Sequence, residues 1–127
     1  MNFELSAKSI SLCEDEENLV FAFGDDDPGV ARYLMLQHAL SHQEPDTQLA
    51  LDGLYIERDD QKYGCYVGVQ AIRRIDNRIE IELTQRGIQK LCVDKIIITP
   101  IPWIPIIDQG LSRLEALSQG KYAVHLQ

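Results

Sequence analysis

Basic residues are scarce in the front half of this 127-residue chain. Residues 1–60 carry 3 Lys and Arg against 14 Asp and Glu, whereas residues 61–127 carry 9 against 6. Phosphate contacts need clustered Lys or Arg, so this deficit argues against a nucleic-acid partner. It argues equally against docking on an anionic membrane surface. Cysteine is thin as well. Cys13, Cys65 and Cys92 lie far apart, and an odd count without close spacing fits neither a disulfide framework nor a zinc site. Reduced, mostly buried thiols are expected, which points to the cytoplasm. Long apolar runs are missing: Ile96 to Ile107 is interrupted by Pro100, Pro102 and Pro105 and cannot span a bilayer. The first residues lack a basic start followed by an apolar core, so no signal peptide is expected. A phosphate loop and a nucleophile with its base are absent too.

What is present suits one globular domain over residues 1–127. Hydrophobic residues at 45% and charged residues at 25% are ordinary for such a domain, so a conventional core is expected. Size scaling gives a folded surface of roughly 6,800 Å² with about two-thirds of the chain's surface buried. The net charge of −8 suits a basic partner, or serves solubility.

Alternation sets out the elements. Phe3 to Leu12 reads as a strand, Glu14 to Asn18 as a polar turn, and Leu19 to Phe23 as a more buried strand. Asp25-Asp26-Asp27-Pro28-Gly29 reads as a loop. Val30 to Leu40 is ambiguous, with a strand ending near His38 favoured over a helix capped by Asp27. Leu54–Glu57 and Gly64–Ile75 form a hairpin around a charged tip. Asp76-Asn77 suits a two-residue turn that sets Ile72 opposite Ile81 and Arg73 opposite Glu80. Thr84 caps a short helix over Gln85–Leu91, which Gly87 weakens by ~1 kcal/mol. Val93 to Thr99 reads as a central strand, because Ile96-Ile97-Ile98 has no polar face. Trp103 anchors a Pro-rich link. A helix follows over Ile107–Gln119, with Ile107, Leu111, Leu114 and Leu117 as its apolar stripe and Gly120 as its stop. The tail can add an edge strand. The expected fold is α+β: a mostly antiparallel sheet of six or seven strands, with one main C-terminal helix and a short helix packed on it.

Few constellations carry chemistry. Glu57, Asp59 and Asp60 form an acidic projection on the hairpin. Glycosidase chemistry needs two carboxylates across a cleft, and adjacent tip residues point to different sides. Partner contact or plain solvation is the better reading. Asp25, Asp26 and Asp27 lack the alternating ligands and distal Glu of a calcium loop. His38 and His42 have helical zinc spacing but no third ligand. Cys65 lies in an apolar run and reads as a core thiol. Tyr55, Tyr63 and Tyr66 gather near the tip, and tyrosine serves a binding hot spot as readily as a sheet.

The order F-A-F, ARYLMLQHAL, DGLYIERDDQKYGCYVGV, RIEIEL and a closing strand–helix resembles a family of bacterial immunity proteins, immunity protein 10. The resemblance runs from about Phe21 to Leu117. It is sharpest at Tyr55-Ile56-Glu57, Asp60-Gln61 and Tyr63-Gly64. It implies a non-enzymatic protein without cofactor or metal that binds a cognate toxin domain and blocks it. From charge and exposure, the first expected contact set is Glu57, Asp59, Asp60, Gln61 and Tyr63, with Asp25, Asp26 and Asp27 second, facing a basic toxin. Two alternatives remain: a small cytoplasmic enzyme, and an adaptor that self-associates into a homo-oligomer through an edge strand.

Overall fold

A computed structural model describes residues 1–25, 32–40 and 53–126. The elements run β1 (Asn2–Ala7), β2 (Ser9–Glu14), β3 (Asn18–Gly24), β4 (Tyr33–Ala39), β5 (Leu54–Arg58), β6 (Asp60–Tyr66), β7 (Val69–Ile75), β8 (Arg78–Leu83), α1 (Gln85–Leu91), β9 (Lys95–Pro100), α2 (Pro105–Ser118) and β10 (Ala123–His125). The α+β class holds, but the strand count does not. The described residues form two five-stranded sheets, ordered β1-β9-β8-β7-β10 and β2-β3-β4-β5-β6. All neighbouring strands are antiparallel except β1–β9 and β7–β10.

Two crossings between the sheets explain the difference. Phe3 to Leu12, read as one strand, changes sheet at Lys8. Phe3, Leu5 and Ala7 are buried at odd positions, whereas Ile10 and Leu12 face the core at even positions. That slip of phase marks a strand that leaves one sheet and enters another. Gly64 to Ile75 splits in the same way at Val67-Gly68, where Val67 adopts a positive φ of 59°. Between β5 and β6 only Asp59 remains as a turn, also at positive φ (62°), which Asp tolerates better than most residues.

Local chemistry accounts for the elements read correctly. β4 is a strand, with Leu34, Leu36 and His38 buried in alternation; Val30 and Ala31 lie outside the described residues. The β7–β8 hairpin pairs Ile72 with Ile81 and Arg73 with Glu80. Thr84 caps α1 by accepting the Gly87 N–H at 3.1 Å. β9 lies inside the first sheet, and β10 adds a parallel edge strand.

One core joins both sheets. Phe3, Ile72, Ile81, Ile96 and Ile98 from the first pack with Leu19, Phe21, Leu34, Leu36 and Ile56 from the second. α2 covers it with Ile107, Leu111 and Leu114, each burial contributing about 1.5–3 kcal/mol. Trp103 is half-buried and donates to Asp108 at 3.1 Å, while the Arg74 guanidinium sits 4.2 Å above its ring. Cys65 is buried as expected. Cys13 and Cys92 are exposed, so the thiols are not mostly buried.

Candidate functional site on the open face of the second sheet

The two outer faces differ in character. On the first sheet, charges are laced together along and across strands. Arg78 donates to Glu80 at 2.8 Å, Lys95 also binds Glu80, and Arg73 reaches Glu82 at 3.3 Å. The two cations hold the Glu80 carboxyl below its ordinary range.

On the second sheet, register lines up three rows. Ser11, Ala22, Met35, Glu57 and Gly64 form one, and Cys13, Val20, Gln37, Tyr55 and Tyr66 the next. Ser9, Gly24 and Tyr33 form the third. Except for Glu57, these side chains are half-buried or exposed. Glu57 is also the one carboxylate in the rows. It is 9% exposed, and among the described residues its hydrogen-bond partners are two phenols. Tyr55 donates to Oε1 at 2.7 Å and Tyr33 donates to Oε2. Burial, then the bonds to Glu57, push both phenols well above their ordinary range, so both remain protonated donors at neutral pH.

Gly64, paired with Glu57, makes room for this arrangement. A Cβ there would lie 2.3 Å from the Tyr55 hydroxyl. The Tyr55 and Tyr66 rings stand 5.1 Å apart, tilted by 56°. Beside them is an open hollow of about 430 Å³ lined by Met35, Gln37, Tyr55, Glu57, Gln61 and Tyr66.

The acidic projection read from the sequence is therefore corrected at two of its three carboxylates. Ile56 faces the core, and Glu57 is buried on the outer face beneath the Tyr33 and Tyr55 hydroxyls. Asp59 is a clasp: its side chain is 21% exposed and bonds Arg32 at 3.4 Å and Arg58 at 3.3 Å. Its Oδ1 accepts the Tyr33 N–H at 3.1 Å, and its own N–H donates to the Tyr33 carbonyl at 3.1 Å. Asp60 is the exposed acid, with Oδ1 accepting the Lys62 N–H. Tyr63 carries the Arg58 guanidinium 4.1 Å above its ring, and Arg58 also donates to the carbonyl of Leu91 at the end of α1. Asp25 Oδ1 accepts the Arg32 N–H at 3.1 Å. Asp26, Asp27 and His42 lie outside the described residues. The structure thus brings Glu57 and Gln61 together and sets Asp59 and Tyr63 in a separate ionic knot.

Residues 6–101 match the family model for immunity protein 10. The chain belongs to the immunity protein 10 family. The match takes in β2 to β9, the Glu57 hollow and the ionic knot, and leaves out most of β1 and all of α2 and β10. No curated protein matches the chain. Among the described residues no helix is long and apolar enough to cross a membrane. Sequence reasoning had not assigned Tyr33, Met35 and Gln37 to the face. Their signal was the alternation within β4, visible only once that segment is taken as a strand.

Proposed function

We propose that this immunity protein neutralises a cognate bacterial toxin by direct protein–protein contact, in the cytoplasm and without a reaction of its own. The observation that carries this reading is the contrast between the two outer faces. One is closed on itself by ion pairs; the other offers small, tyrosine and amide side chains that the described residues leave open. Tyrosine supplies contact area at low entropic cost, which is why it recurs at binding hot spots. A standard interface takes ~800 Å² per partner. The chain's surface is 7170 Å², so one sheet face with its rim is of the right size.

Glu57 and Gln61 are the central contacts, with Asp60 at the rim, Tyr63 on the side of the ionic knot, and Asp25, Asp26 and Asp27 as a second contact set. Asp59 acts as a positioning residue that holds the β5–β6 turn against β4. The surplus of acids in residues 1–60 steers a basic toxin towards encounter. The test is co-expression with the toxin encoded beside the gene, scored by survival and co-purification. Protection with a stable complex is expected. Protection without any complex contradicts the proposal.

A further inference from the structure

We infer that the hollow at Glu57 is a socket for one arginine side chain of the bound toxin. This rests on the docking reading above and names the chemistry at its centre. The other buried carboxylate among the described residues, Glu80, is neutralised by Arg78 and Lys95, and the half-buried Asp59 by Arg32 and Arg58. Glu57 is 9% exposed, and among the described residues it has two neutral phenols where those have guanidinium or ammonium groups. Hydroxyl donors orient a carboxylate but leave its charge uncompensated, and a buried, unpaired charge is unfavourable.

The remaining acceptor capacity points outward. An ionised carboxylate offers about four lone-pair sites. Tyr33 and Tyr55 occupy one on each oxygen. A guanidinium can bind both oxygens side by side, a geometry an ammonium does not match. The tilted Tyr55 and Tyr66 rings supply aromatic walls on which a planar cation packs. Gln37 and Gln61 line the same hollow and offer amide oxygens to its remaining N–H groups. Gly64 keeps the space clear, because any side chain there would displace the Tyr55 hydroxyl.

The test uses the isolated protein with tyrosine rings labelled for NMR, titrated with N-acetyl-arginine amide and with the citrulline amide, its neutral look-alike. Tyr33, Tyr55 and Tyr66 resonances should shift saturably with the arginine probe, and about tenfold or more weakly with citrulline, as expected for loss of a charge-assisted bond. Glu57→Gln, which keeps shape and an acceptor for the phenols, should weaken arginine binding by a similar factor. Equal response to both probes, or none, overturns the socket on the unaltered protein alone. Survival of cells carrying the toxin separates this from the wider reading. Full protection by Glu57→Gln sinks the socket and leaves immunity standing; no protection by the unaltered chain sinks immunity, while the titration still decides the socket.

Discussion

Replacing Gly87 by Ala should destabilise the protein, although helix propensity alone says the opposite. In an isolated helix the change is favourable by ~1 kcal/mol. Here α1 is seated on the crossover between the sheets. A Cβ at residue 87 would lie 2.2 Å from the Gly68 carbonyl oxygen and 3.0 Å from its carbonyl carbon. Those are backbone atoms and cannot rotate away. The helix start is also tied to that crossover: the Thr84 N–H donates to Gly68 O at 2.9 Å, and the Thr84 hydroxyl donates to Val67 O at 2.8 Å. Separating the two backbones costs about 1–3 kcal/mol for overpacking. Loosening the Thr84 bonds adds about 1 kcal/mol. Against the helix gain, a net loss of about 2 kcal/mol is expected, or about 6–10 °C in Tm at this chain length. Urea unfolding followed by circular dichroism reads it directly. A variant as stable as the parent, or more so, would refute the seating of α1 on Gly68.

Two further outcomes follow from the ion pairs. The Glu80 carboxyl is held low by Lys95 and Arg78, against an ordinary value of 4.5. A carboxyl depressed in the folded state contributes stability that is present above its unfolded value and lost as pH falls through the folded one. Glu80→Gln should therefore flatten the fall in urea midpoint between about pH 5 and pH 3; an unchanged slope contradicts the pairing. Asp59→Lys should cost about 2–4 kcal/mol, because it strands two arginines and the Tyr33 N–H, while Asp60→Lys should cost under about 0.5 kcal/mol. Equal losses in thermal unfolding would show that Asp59 is no clasp.

Local rules carried much of the fold. The β7–β8 hairpin was legible because turn chemistry at Asp76-Asn77 and a strict period of two agree on one register. The α1 cap and the α2 stripe were legible for the same reason: cap and periodicity lie within a few residues of each other. The division into two sheets was harder, because it is decided by pairing between distant strands. Its only local traces are the phase slip around Lys8 and the glycine at residue 68. Charge misled at the β5–β6 turn. Three acids in four positions suggest a solvated tip, yet Tyr33 and Tyr55 cover Glu57 on the outer face, and Arg32, 27 residues away, claims Asp59. The Tyr33–Glu57 bond spans 24 residues, a separation at which sequence spacing is silent.

The most direct measurement is the affinity of the co-encoded toxin for two bulky variants, one on each sheet. Ala22→Trp plants a large ring in the middle of the open face of the second sheet. Thr99→Trp plants the same ring at an exposed position on the outer face of the first. Biolayer kinetics should show affinity lost about thirtyfold or more for Ala22→Trp and unchanged for Thr99→Trp, with both variants folded. Unaltered binding by Ala22→Trp, or an equal loss in both, would contradict docking on the tyrosine-lined face.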